Sequence, residues 1–227
     1  MDVRLQCAGA DAIMLYAQAP QGGAVAFIGA LADSIEGELG GALVDLVPSY
    51  TSLLVIYDPL QSSHTAMARQ LRQLARNAAV ADEHTGKTVT LPVYYAAEAG
   101  QDIERLAENA GLGVDEVITL HSSRDYRVYA IGFAPGFAYL GDVDERIACP
   151  RLSTPRLRVP RGSVAIAERQ TAVYPAVSPG GWNLLGRCPT TLFNPYSKPH
   201  MPVAVGDNVR FEPITRTEFL RMGGELG

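Results

Sequence analysis

Apolar side chains run without a break through Ala12-Ile13-Met14-Leu15-Tyr16, as they do in a buried strand. The period then changes. Val25, Ile28, Leu31, Ala32, Ile35 and Leu39 recur at three- and four-residue steps, which predicts an amphipathic helix, and Gly40-Gly41 supplies a positive-φ stop. Residues 43–47 and 52–57 are β-rich runs with Pro48-Ser49 between them, so they read as neighbouring strands joined by a short turn. A helix follows from Ser63, a suitable N-cap, with an apolar face through Met67, Leu71 and Leu74. The order β-α-β-β-α predicts a ferredoxin-like domain over residues 1–84.

The polar stretch Ala81-Asp82-Glu83-His84-Thr85-Gly86 has no apolar period and predicts a linker. Residues 88–95 then read as a strand and 101–110 as a helix ended by Gly111. Val114, Val117, Ile118 and His121 mark a second short helix. Beyond Tyr126, short β-like runs at 128–133, 163–167, 171–174 and 209–211 alternate with loops rich in Gly, Pro and Arg. Ten of the fifteen prolines lie between Pro135 and Pro202, where regular sheet has little use for them, so these loops predict a shaped surface on a compact β-barrel over residues 85–227. The expected class is α+β.

Composition narrows the function classes. A chain of 227 residues, 47% hydrophobic and 19% charged, with mean hydropathy +0.04, can bury a core without staples. A net charge of −5 provides no cationic field to draw it onto nucleic acid or anionic lipid. Cys7, Cys149 and Cys188 are scattered, without paired or metal-ligand spacing, and read as reduced thiols; no metal site is expected. The opening Met1-Asp2-Val3-Arg4 has no secretory pattern. The apolar stretch 24–39, broken by Asp33, Glu36 and Glu38, falls short of the roughly 20 residues of a membrane span, so a cytoplasmic location is expected. The run from Ala81 to Thr88 spells a loose phosphate-loop motif, but it follows a helix and leads into a strand. That reverses the required context, and the linker reading stands.

The densest signal is Tyr129-Ala-Ile-Gly-Phe-Ala-Pro-Gly-Phe-Ala-Tyr-Leu-Gly141, followed by Pro150-Arg151, Thr154-Pro155-Arg156-Leu157-Arg158-Val159-Pro160 and Gly162-Ser163-Val164. It continues through Gln170-Thr171-Ala172-Val173-Tyr174-Pro175 and Ser178-Pro179-Gly180-Gly181-Trp182-Asn183-Leu184-Leu185-Gly186-Arg187, with Leu120-His121-Ser122 ahead of the set. This ordered set closely resembles the family that includes the 5-oxoprolinase B subunit, the Kip-type sporulation kinase inhibitor and the allophanate hydrolase subunit 1 domain of urea carboxylases. Ala138, Arg161, Glu168-Arg169 and Cys188 depart from the commonest family spelling, all of them loop-level changes. The resemblance implies a ferredoxin-like N-terminal domain and a cyclophilin-like C-terminal barrel. It also implies partner subunits A and C, the latter a related cyclophilin-like protein, and conversion of 5-oxo-L-proline to L-glutamate with ATP and Mg2+, the nucleotide lying at a subunit interface.

That reaction activates a lactam carbonyl and develops charge on oxygen and phosphoryl groups, which cationic and N–H donors stabilise. Arg156 and Arg158 are candidates for a carboxylate, a phosphate or an acidic partner surface, because guanidinium forks match such anions bidentately. The alternative is that Arg151, Arg156, Arg158 and Arg161 are solvated or pair with Asp142, Asp144 and Glu145. Gly136, Gly180 and Gly181 allow close backbone approach to an anion, or simply tight turns. Phe133, Phe137, Tyr139, Tyr174 and Trp182 are candidate walls of an apolar cleft in which Gln170 orients a ligand, or else core residues. His121 is the candidate catalytic proton carrier, but it continues the apolar face of Val117 and Ile118 near a helix end, which favours a structural role. No complete catalytic constellation is visible, which agrees with catalytic groups shared among subunits. The rival functions are a sensor histidine kinase inhibitor, acting as an interaction protein, and a urea carboxylase-like carboxyltransferase component.

Overall fold

A computed structural model describes residues 2–18, 23–78 and 86–226, and the chain divides into two units, Met1–Gly86 and Lys87–Gly227. In the first unit the elements run β1 (Asp2–Cys7), β2 (Ala12–Gln18), α1 (Ala24–Leu39), β3 (Leu43–Ser49), β4 (Ser52–Tyr57) and α2 (His64–Asn77). The strands pair in the order β1-β2-β4-β3, every neighbour antiparallel. Leu53, Val55 and Tyr57 alternate inward along β4 and meet Ile13 and Leu15 of β2. The helices close the core with Phe27, Leu31 and Ile35 from α1 and Met67 and Leu71 from α2. Gly40 stops α1 at φ 49°, and the Ser63 hydroxyl caps α2 by accepting the Ala66 N–H at 3.3 Å.

Two details differ from the sequence reading. The unit opens with β1, whose Val3, Leu5 and Cys7 alternate with polar residues, a short period-2 signal that the reading passed over. The turn after β3 is Tyr50-Thr51, not Pro48-Ser49, because Ser49 pairs with Ser52 and Pro48 with Leu53. Proline is tolerated there: in the pair next to a hydrogen-bonded closing pair, the main-chain N–H position points away from the partner strand. The linker reading over 81–86 falls mostly on residues 81–85, which lie outside the described residues.

The second unit contains β5 (Thr88–Val93), α3 (Ile103–Ala110), α4 (Val114–Ser122), β6 (Asp125–Ile131), β7 (Ala138–Gly141), β8 (Arg156–Val159), β9 (Ser163–Ala167), β10 (Gln170–Val173), β11 (Ser178–Gly180), β12 (Asn183–Arg187), β13 (Asn208–Pro213) and α5 (Arg216–Arg221). Strand pairing runs β6-β7-β10-β9-β12. It then passes to Tyr94, just beyond β5, which exchanges two 2.9 Å backbone hydrogen bonds with Arg187. β5 lies parallel to β13, and β13 antiparallel to β6, so the pairing returns to its start and leaves no open edge along the ring. β8 and β11 form a separate two-stranded ribbon. Among these elements, β7, β8, β11, β12 and α5 went unread in the sequence; the strands are three to five residues long, too short for a clear period.

Alternation along β9 explains how this sheet separates two apolar clusters. Val164 and Ile166 face the main core with Leu140, Val173, Val128, Val209 and Phe211. Ala165 and Ala167, joined by Ala172 of β10, face the other way, toward Phe137, Tyr174, Trp182, Val159 and Leu184. Small residues on that face let aromatic rings lie close against the sheet.

Candidate functional site

Phe137 is the hub of the aromatic cluster. Its ring centroid lies 5.2 Å from Phe133, 4.9 Å from Tyr139, 5.4 Å from Tyr174 and 5.7 Å from Trp182, all edge-to-face. Phe137, Tyr174 and Trp182 are buried, whereas Phe133 is 63% exposed and has φ 70°. The five rings are therefore brought together, but as packed filling with an exposed rim. Gly180 sits against the Tyr174 hydroxyl, where a Cβ would overlap it, and Gly136 at φ 89° sits against Phe193. Gly181 is in ordinary contact distance of Leu152 and Pro155. Gln170 pairs with Gly141, two residues along β7 from Tyr139 and on the same sheet face, at the rim of this cluster.

His121 is a correction to the sequence reading. It is fully buried, stacked on Phe211 at 4.6 Å, and bonded at both ring nitrogens. The Thr171 hydroxyl donates to Ala165 O (3.0 Å), so at His121 Nε2 (2.9 Å) it accepts; Nδ1 is then the acceptor for the Tyr95 hydroxyl at 2.7 Å. Burial, aided by the Arg124 charge, depresses the imidazole pKa to about 3. An enclosed, neutral, doubly bonded ring is a core element, and proton exchange with a bound substrate near neutral pH is closed to it.

Arg156 is likewise committed within the protein. Its Nη2 donates to both oxygens of Asp102 (2.8 and 2.7 Å) and its Nη1 to Trp182 O (3.3 Å). Asp102, 5% exposed, also accepts from Arg105 Nη2 (2.9 Å) and Leu184 N (2.8 Å). Burial alone would raise this carboxyl's pKa, but the Leu184 N–H and the two guanidinium groups together hold it below its ordinary value. Arg105 continues to Asn183 Oδ1 (2.7 Å), and Asn183 donates to Pro150 O (2.9 Å). The acidic partners expected for the arginine cluster are taken by others: Asp144 pairs with Arg124 and Arg146, and Asp142 and Glu145 with Arg169.

Beside this network lies a cleft of about 490 Å3, lined by Gln101, Arg158, Arg161, Arg187, Val177 and Phe219, among others. Arg158 is exposed and makes no hydrogen bond or ion pair among the described residues, while Arg161 donates to Thr191 Oγ1 at 2.7 Å. Arg187, only 7% exposed, donates Nη1 to Glu225 O (2.9 Å), and its buried Nε has no hydrogen-bond partner. Burial lowers the pKa of its guanidinium, and Glu225 opposes that shift. A volume of this size suits a small-molecule ligand. Of the predicted binding residues only Arg158 lines it. Arg187 and Gln101 escaped the sequence reading, although an arginine closing the apolar run Leu184-Leu185-Gly186 is a cation delivered into a core by its own strand. Among the described residues, no group of three or more His, Cys, Asp or Glu side chains is placed to hold a metal ion.

Comparison with known proteins places this geometry in a family context. Residues 3–203 match the family described as carboxyltransferase domain, subdomain C and D. The B subunit of 5-oxoprolinase from Bacillus subtilis (strain 168) is 38% identical over 200 residues, covering 84% of this chain and 83% of that protein. Among crystal structures, the conserved uncharacterized protein PH0987 from Pyrococcus horikoshii is 46% identical with a TM-score of 0.58, covering 95% of this chain and 100% of that one. TTHA0988 is 34% identical with a TM-score of 0.79 over 90% of this chain; the match spans 40% of the TTHA0988 chain.

Proposed function

Because the chain belongs to the carboxyltransferase domain, subdomain C and D, family, we propose that it is the B subunit of an ATP-dependent 5-oxoprolinase, which opens 5-oxo-L-proline to L-glutamate together with subunits A and C. The observation that carries this reading is the 38% identity, over 84% of the chain, to a protein named as a 5-oxoprolinase B subunit. A subunit name supports action in a complex. The absence of a complete catalytic set among the predicted residues, with His121 enclosed in the core, supports shared catalysis. ATP with Mg2+, when bound, supplies the phosphoryl group that activates the lactam oxygen. The part this chain can take is to present guanidinium donors to negative charge, and the residues that fit an oxyanion of either reactant are Arg158, Arg161 and Arg187.

The finer fold reading is supported by topology. Taking β1 as the outer strand beside β2, the antiparallel order β1-β2-β4-β3 with two helices is a ferredoxin-like arrangement in which the last strand has moved to the front. The closed ring of the second unit is the pairing a cyclophilin-like barrel requires. A cytoplasmic location is supported by three free cysteines, and no helix among the described residues is long and apolar enough to cross a membrane.

The test is ATP-dependent glutamate formation from 5-oxoproline by the purified chain alone and then mixed with the A and C subunits. Glutamate is expected only in the full mixture. Its absence there, with all partners folded, would sink the reading and turn attention to a regulatory interaction protein. The family description favours carboxyl transfer as a second reading, for which carboxylation of a small amide by a complex containing this chain would be the decisive result.

A further inference from the structure

We propose that the arginine cleft of the second unit is a carboxylate-binding site carried by this chain itself, in which Arg187 supplies a guanidinium group from the wall and Arg158 adds a second cation from the rim. Three observations converge on it. The first is the unmet donor. Arg187 is 7% exposed, its one side-chain hydrogen bond runs from Nη1 to Glu225 O, and its Nε is buried without a partner, so much of its donor capacity is unmet within the described residues. Arg187 nevertheless lines the cleft, and a guanidinium group on its wall suits a planar carboxylate.

The second is the cleft's composition. Arg158 and Arg161 stand with Arg187 around about 490 Å3, while Val177, Phe219, Pro160 and Pro189 present apolar surface to the body of a small ring or chain. Glu225 on the same wall opposes a ligand of high negative charge, which favours a monoanionic carboxylate over a phosphate.

The third is rigidity. Arg187 ends β12 and exchanges both backbone hydrogen bonds with Tyr94, and Gln101 on the cleft wall adjoins Asp102, the anchor of Arg156 two residues before Arg158. The backbone positions of Arg187 and Arg158 are thus held by the sheet and the buried ion-pair network.

The identity of the acid rests on the proposed function, for which it is 5-oxo-L-proline; the site itself does not. Isothermal titration of the full chain without partner subunits compares 5-oxo-L-proline, its neutral carboxamide, inorganic phosphate and ATP. Binding of the acid is expected, with loss of about tenfold or more in affinity for the carboxamide, for Arg187→Lys, which keeps the charge but removes the fork, and for Arg158→Gln. If Arg187→Lys fails to fold, the exposed Arg158→Gln decides. Equal binding of the carboxamide, tighter binding of phosphate or ATP, or no binding of the acid at millimolar concentration overturns the assignment. Acid binding without glutamate formation in the full mixture would refute the enzyme reading and leave the site standing. Glutamate formation with no binding to this chain would do the reverse.

Discussion

In the aromatic cluster, Phe137 touches four other rings, three of the five are buried, and Gly180 leaves no room beside the Tyr174 hydroxyl. In the arginine cleft, Arg158 has no partner among the described residues, and Arg187 keeps a buried Nε without one. Both regions are supplied by the same stretch of chain, since the Trp182-to-Arg187 segment begins in one and ends in the other. Packing consumes the three buried rings of the first set, which stabilise the fold, and leaves Phe133 at an exposed rim. The second set carries unmet hydrogen-bonding capacity, which native structures rarely keep in buried groups without a use. A conspicuous run of aromatic residues therefore marks architecture here, and an inconspicuous arginine marks chemistry.

The largest expected effect tests the closed side. Trp182→Ala should lower unfolding free energy by about 3 to 5 kcal/mol in chemical denaturation, because it removes a buried ring from a close-packed cluster. A loss below about 1 kcal/mol would mean that the cluster is loose enough to serve as a cleft. Next in size is the core histidine. The folded pKa of about 3 lies below the ordinary value near 6.5, so the unfolded chain holds a proton that the folded chain lacks between these values. Stability is fully present above pH 6.5 and should fall by up to about 1.4 kcal/mol per pH unit as pH drops toward 3. Asp102, held below its ordinary value, adds to the loss only on the acid side of about pH 4. Denaturation midpoints of wild type and His121→Gln across pH 4 to 7 measure this slope, and an unchanged slope in the variant would remove His121 from the core account. The smallest effect sharpens the open side: Arg158→Gln should leave unfolding free energy within about 0.5 kcal/mol, as expected of an exposed, unpaired residue, so that any affinity it loses is functional.

Local rules carried much of the fold. Period, capping serine and glycine stops located both helices of the first unit, the inner strands β2 and β4, and the helices α3 and α4 of the second unit close to their observed limits. They did so because each of these elements buries a complete face and has a chemical end marker of its own. They missed β1, with only three alternating apolar residues, and the short strands β7, β8, β11 and β12 of the second unit, whose extent is set by their strand partners. The motif run from Tyr129 to Arg187 was sufficient to identify the family.

What tertiary structure alone decided is the division of labour among those motif residues. Whether Arg156 is free depends on Asp102, fifty-four residues earlier, and whether His121 can titrate depends on Tyr95, Thr171 and Phe211, which reach it from three other segments. Arg187 stands out only once its strand, the Tyr94 bridge and the Glu225 carbonyl are placed around it. Residue type and spacing specify what a side chain is able to do, while burial and the satisfaction of hydrogen bonds specify what it is left free to do. Those last two quantities are sums over contacts between distant parts of the chain, so they exist only in the folded protein.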